Sequence, residues 1–326
     1  MIRRALLAGG GALALGAASP AAAQRAGAPT IGLLIGSPEQ NLRAELDAFA
    51  AELAALGWTG ARAPRLVVAS GEDDAARLPA LARLLVAARP ELLIAQLAES
   101  GAALAAATAT IPIVMATGSD FVALGLTASL ARPSRNVTGF SNLNDVLNGK
   151  RLDLLLQAAP AARSVGFIWN PATGRGRAAR DEINAACAAR GVVAQPLAAG
   201  SDAEMLTVFD RAAAAGVEIL VVVSDPVVGS NIDYIVERAI ALRMPAVFGY
   251  ASFARHGGLI TYAPDPLDQW RNAARYADRL LRGARVADLP FQEPSRIALT
   301  INLVTARRMG LDIPPVLMAA ADEVIE

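Results

Sequence analysis

Beyond the first two dozen residues, short β-branched or leucine-rich runs alternate with longer segments whose apolar positions recur at helical spacing. The runs predict strands at 31–35, 65–69, 92–95 and 111–115 in the first half, and at 165–169, 192–195, 219–223 and 246–248 in the second. Between them, 39–56, 75–88, 177–190 and 230–242 read as helices with their charges opposite an apolar stripe. Strand alternating with helix is the signature of a parallel sheet covered on both faces. Two such series in succession predict an α/β chain of two doubly wound parallel-sheet lobes. The polar stretch from Asn136 to Asn142 lies between them and suits a hinge near 136–141. A further strand at 257–262, a helix at 266–282, a strand at 296–301 and a helix at 302–309 then require a multi-crossover connection. The expected lobes are 29–139 plus about 257–287, and 140–256 plus about 288–326.

Residues 1–23 follow a different pattern. Arg3 and Arg4 precede an apolar run from Ala5 to Ser19, and Ala21-Ala22-Ala23 closes it. A positive start, a short apolar run and an A-x-A end are the three parts of a secretory signal peptide. The run is too short to span a bilayer comfortably, and Gly9, Gly10 and Gly11 argue against a buried helix. Cleavage after Ala23 is expected to leave an exported chain without stable membrane insertion. The paired arginines also permit twin-arginine export, so the route stays open.

Composition narrows the field. The chain has 326 residues, 54% of them hydrophobic, with 30 basic against 30 acidic side chains and a pI near 6.6. That balance offers no electrostatic footprint for nucleic acid or an anionic membrane. A mean hydropathy of +0.39 with 18% charged residues excludes disorder. The one cysteine, Cys187, has no partner for an internal disulfide and reads as a small buried hydrophobe.

In open parallel sheets, ligands gather at the carboxyl ends of the strands. After the first strand, Ser37, Pro38 and Gln40 have the makings of a capped helix start. Such a start either offers free amides to an anion or is plain capping. Gln96 and Glu99 follow the third strand, Ser119 and Asp120 the fourth, Trp169 and Asn170 the fifth, Asp225 the seventh, and Tyr250 the eighth. Singly, Trp169 could be core and Asp225 could cap a helix near Val228; together they form a candidate small-molecule cleft.

Catalytic signatures are weak by comparison. His256 is the single histidine, set in a surface turn between Arg255 and Gly257, and a zinc site of the usual type is lacking. No G-x-S-x-G elbow and no G-x-x-x-x-G-K-[ST] loop occurs. Gly174-Arg175-Gly176 begins a G-x-G-x-x-A match, but the next strand ends at Gln195 without the acid that would hold a ribose. No cofactor is expected.

Several segments carry a family resemblance: Thr110-Ile-Pro-Ile-Val, Gly125-Leu-Thr-Ala-Ser-Leu-Ala-Arg-Pro, Asn136-Val-Thr-Gly, Gly149-Lys-Arg-Leu-Asp-Leu-Leu, Trp169-Asn-Pro, Gly257-Gly-Leu-Ile-Thr-Tyr, and the ending Gly310-Leu-Asp-Ile-Pro-Pro through Ala321-Asp-Glu-Val-Ile-Glu. In this order they resemble the ABC-transporter substrate-binding proteins that include tryptophan- and tyrosine-associated binders. The resemblance implies a type I periplasmic binding fold, a small polar or amino-acid-like ligand held by hinge closure, and a permease with a separate ATPase subunit as partners. By position it implies cleft-facing roles for Ser37, Ser119, Asp120, Asn170 and Asp225. Members often have Gly-Thr-Pro where this chain has Leu97-Ala98-Glu99; Glu99 would repel an anion there, which favours an amine-bearing or differently oriented ligand. The expectation is a non-catalytic solute receptor. The alternatives are a ligand-sensing module for a membrane signalling partner, or a secreted α/β enzyme with Asp120 and Glu99 as its acid–base pair.

Overall fold

The segment TIGLLI buries every residue after its threonine and alternates its side chains between two cores. Ile31, Leu33 and Ile35 face one core, and Leu34 faces the other. A strand apolar on both faces belongs inside a sheet covered by helices on each side, and a computed structural model places it there. The structure describes residues 27–118, 121–142 and 146–326.

The first sheet consists of β1 (Thr30–Ile35), β2 (Arg65–Ser70), β3 (Leu92–Ala95), β4 (Ile113–Met115) and β5 (Val137–Gly139), all parallel in the order β2-β1-β3-β4-β5. Its connecting helices are α1 (Arg43–Ala55), α2 (Leu78–Ala87) and α3 (Ala98–Ala107). The expected helix at 39–56 begins with a 3₁₀ turn at Glu39–Leu42, and the one at 75–88 begins with another at Ala75–Arg77.

The second unit runs α4 (Asn148–Ala158), β6 (Ser164–Trp169), α5 (Gly174–Ala189), β7 (Val193–Ala198), α6 (Asp202–Ala214), β8 (Ile219–Val222), α7 (Pro226–Ser230), α8 (Ile232–Ala241), β9 (Ala246–Phe248), α9 (Ser252–Arg255) and β10 (Ile260–Pro264). The chain then forms α10 (Pro266–Leu281), β11 (Ile297–Asn302), α11 (Leu303–Met309), α12 (Pro315–Ala320) and β12 (Glu323–Ile325). Seven strands form one sheet in the order β12-β11-β10-β9-β8-β6-β7, with β10 and β11 antiparallel. β7 runs through Pro196, which an edge strand tolerates because that position owes no further ladder bond. Cys187 lies fully buried in the core of this unit.

Two expectations change. Residues 137–139 of the expected hinge form the edge strand β5, so the crossover begins at Phe140 rather than Asn136. The segment at 257–287 divides: its strand β10 pairs with β9 and β11 in the second sheet, while α10 packs on α1 in the first lobe. That packing includes an edge-on contact of Phe49 with Trp270 at 6.0 Å and a bond from Trp58 Nε1 to Asp278 Oδ1 of 2.8 Å.

The chain crosses between the lobes at their connecting segments. The chain leaves the first sheet at the carboxyl end of β5, leaves the second at that of β10, and returns into β11, whose first residue Ile297 pairs with Pro264. Here the connecting segments lie side by side. Ser141 N donates to Gln292 O at 2.7 Å and Asp265 N to Arg296 O at 3.1 Å, while Gln269 Nε2 reaches Ser141 O at 3.2 Å. The carboxyl ends of β5 and β10 therefore both lead into these connecting segments.

Candidate functional site

On the first lobe, Gln96 leaves β3 buried and turns its side chain to the loop after β1. Its Oε1 accepts from Gly36 N at 2.7 Å and Ser37 N at 3.3 Å, and its Nε2 lies 3.4 Å from Ser37 Oγ. Ser70 Oγ, from the end of β2, donates to Ser37 O at 2.9 Å. The amides of Gly36 and Ser37, which lead into this helix start, are thus held by Gln96. Ser37 is also not the N-cap: Pro38 occupies that position in an extended conformation without a side-chain capping bond. Glu99 stands exposed in the first turn of α3. Ser119 and Asp120 lie outside the described residues.

On the second lobe, Trp169, Asn170 and Asp225 are all buried where β6 and β8 end. Asn170 Nδ2 donates to Asp225 Oδ1 at 3.1 Å, and Asn170 Oδ1 accepts from Ala172 N at 2.9 Å. Asp225 Oδ1 also accepts from Val227 N at 3.0 Å, capping α7, which starts at Pro226 rather than near Val228. Gly176 opens space for this arrangement, since a Cβ there would lie 1.9 Å from Asn170 O. Gly176 therefore serves close packing of α5, whose N-cap Thr173 accepts from Gly176 N at 3.0 Å, while Gly174 stands exposed and free of such a clash. The Trp169 ring lies in the lobe's core with the Arg180 guanidinium 5.2 Å from its centroid, and its buried Nε1 has no partner. Tyr250 is half-buried after β9 and packs on the same core.

Three charged residues complete the picture, and none was singled out from sequence. Arg151 on α4 is fully buried; its Nε donates to Tyr262 O at 2.9 Å and its Nη1 to Asn148 Oδ1 at 3.0 Å, joining α4 to β10. Glu45, in the first turn of α1, is only 3% exposed, and its Oε2 is buried without a hydrogen-bond partner. Its Oε1 lies 4.0 Å from an Nη2 of Arg255, which comes from α9 on the other lobe. One sequence signal could have found Glu45. It interrupts the apolar stripe of Leu42, Leu46, Phe49 and Leu53 at the end of the helix nearest the cleft.

Chemically, this is a set of hydrogen-bonding groups steadied by one another and by backbone amides, which suits holding a small polar molecule. Among the described residues no group of three His, Cys, Asp or Glu side chains could hold a metal ion, and no helix is long and apolar enough to cross a membrane.

A family model for ABC transporter substrate binding proteins matches residues 40–325. The chain belongs to this family. The substrate-binding protein is 22% identical to the tyrosine-binding protein of Clostridioides difficile (strain R20291) over 244 residues, which are 74% of this chain and 69% of that protein. Its fold matches a Streptococcus pneumoniae ABC domain crystallised with L-Trp, with a TM-score of 0.79 at 22% identity over 91% of this chain and 100% of the other. It also matches the ligand-free, open structure of a Clostridium difficile substrate binding protein with adhesive properties, with a TM-score of 0.74 at 21% identity over 91% and 99%. The substrate-binding protein thus has the two-lobed type I periplasmic binding fold. Its family and these neighbours are binding proteins rather than enzymes.

Proposed function

We propose that this substrate-binding protein is an exported receptor that takes a small amino-acid-like solute between its lobes, closes on it, and presents it to an ABC import permease served by a separate ATPase subunit. The main support is the juxtaposition of the two carboxyl edges. One offers the Gln96–Ser37 pair and the other the Asn170–Asp225 pair, and the segments that join the lobes run between those edges. A ligand bridging them would gain contacts from both lobes only when they approach, so its differential affinity favours the closed form. The L-Trp complex and the tyrosine-binding relative supply the ligand class to try first. Residues 1–23 would direct export to the periplasm and be removed near Ala23.

A thermal-shift screen against amino acids, nucleosides and small carboxylates tests the reading. An amino acid should stabilise the protein in a concentration-dependent way, by about 2.7 kcal/mol at a hundredfold excess over its Kd. Stabilisation by nucleosides alone would overturn the ligand class, and turnover of any ligand would overturn the receptor role.

A further inference from the structure

Glu45 is a charge where packing calls for a hydrocarbon. It lies one helical turn before Phe49 on the stripe that α1 turns to the first lobe's core, and it is 3% exposed. Side chains on a helix lean towards its N-terminus, and the N-terminus of α1 is at the cleft edge of the sheet. The carboxylate is therefore carried towards the cleft rather than into the core. A buried carboxylate is costly unless it is hydrogen-bonded and paired. Here Oε2 has no partner, and Oε1 has only the Arg255 guanidinium, at 4.0 Å. That separation is too long for a hydrogen bond. Arg255 itself is 60% exposed and belongs to α9, at the end of β9 in the opposite lobe. Two opposite charges, one from each lobe, thus form a long ion pair with no hydrogen bond between them.

An α-amino acid carries the complementary pair on adjacent atoms: an ammonium group with three donors, and a carboxylate able to accept from a guanidinium. We propose that Glu45 and Arg255 clamp the zwitterionic head of an amino acid, with Glu45 Oε2 accepting from the ammonium group and the Arg255 guanidinium donating to the carboxylate. The proposal rests on the amino-acid reading above and adds which residues of each lobe meet which end of the ligand. It also gives closure a physical cause, because each end of the head group is held by a different lobe.

Three probes separate the ends: L-tryptophan, tryptamine without the carboxylate, and indole-3-propionate without the amine. L-Tyrosine, tyramine and 3-(4-hydroxyphenyl)propionate form the parallel series. Calorimetric Kd values are measured for the wild type, Glu45→Gln and Arg255→Gln, with circular dichroism to check the fold and Glu45→Asp as a second variant should the first unfold. Wild type should bind the intact amino acid about ten- to hundredfold more tightly than either truncated probe. Glu45→Gln should erase the preference over the probe without an amine and leave the preference over the probe without a carboxylate, and Arg255→Gln should do the reverse. Should either variant weaken all three probes equally, or none, the clamp is wrong while the receptor reading stands. Should wild type bind no amino acid at all, the ligand class fails and the clamp fails with it.

Discussion

Gln96 Oε1 accepts the backbone amide of Gly36 at 2.7 Å, and this bond ties the carboxyl end of β3 to that of β1. Ser37 N shares the same acceptor at 3.3 Å, so one buried side chain shapes the loop that leads into α1 and its Glu45. Truncation by Gln96→Ala leaves two half-buried amides without their partner and should lower the free energy of unfolding by about 1–2 kcal/mol. Urea titration followed by circular dichroism measures this. An unchanged midpoint would mean that water replaces Gln96 at no cost.

Asp225 carries two loads with one oxygen, the α7 cap and the bond from Asn170. Loss of a capping side chain costs about 1 kcal/mol, and the orphaned Asn170 amide adds a similar amount. Asp225→Ala should therefore destabilise by about 2 kcal/mol and, if the proposed site includes the Asn170–Asp225 pair, also weaken ligand binding. A variant with wild-type stability and wild-type Kd would remove this pair from the site.

Gly139 and Gly176 are fixed by steric demand. Gly139 has φ +145° at the entry to the crossover, and a Cβ there would fall 2.3 Å from Met115 O; at Gly176 the clash is with Asn170 O. Neither neighbour is a side chain that can swing aside. Alanine at either position should cost about 1–3 kcal/mol, as overpacking does, by displacing backbone. Gly176→Ala should additionally perturb binding through Asn170. Thermal unfolding enthalpies and Kd values for both variants check this, and full tolerance of Gly176→Ala would contradict the packing described for α5.

Much of the architecture was legible because parallel strands buried on both faces write long apolar runs, as TIGLLI does, and the helices between them keep a clear stripe. The strand β5 was missed because Val137-Thr138-Gly139 is only three residues long and reads as polar loop. The lobe membership of β10 depended on pairing partners far along the chain, which local pattern does not encode. At the site, positions after strands pointed to Gln96, Asn170 and Asp225, but the partners that occupy them are set by tertiary contact. Ser37 illustrates this: its sequence suits an N-cap, yet Pro38 keeps the chain extended for one residue more and Gln96 takes the amide. Glu45 was passed over because a charge within an amphipathic helix is usually solvated.

Acid should loosen the molecule through defined carboxylates. Asp322 sits below the ordinary range chiefly because it accepts from Leu299 N at 2.9 Å, with Arg296 assisting at 3.1 Å. Asp153 is lowered chiefly by its 2.6 Å hydrogen bond from Arg190. Their folded values lie below the unfolded value of about 3.9, so their stabilisation is fully present above about pH 4 and is lost as pH falls through the folded values. Asp322→Asn combined with Asp153→Asn should reduce stability at neutral pH and flatten its decline below about pH 4. Unfolding free energies across this range, with slopes equal to wild type, would contradict the assignment.

The central claim is that the chain binds an amino acid and leaves it unchanged. It is tested most directly by isothermal titration calorimetry of the protein lacking residues 1–23 with L-tryptophan, L-tyrosine and the remaining amino acids, followed by mass spectrometry of the recovered ligand. Saturable binding of one ligand per chain, with the ligand recovered intact, is the predicted result; no binding by any amino acid, or recovery of a chemically altered product, would contradict it.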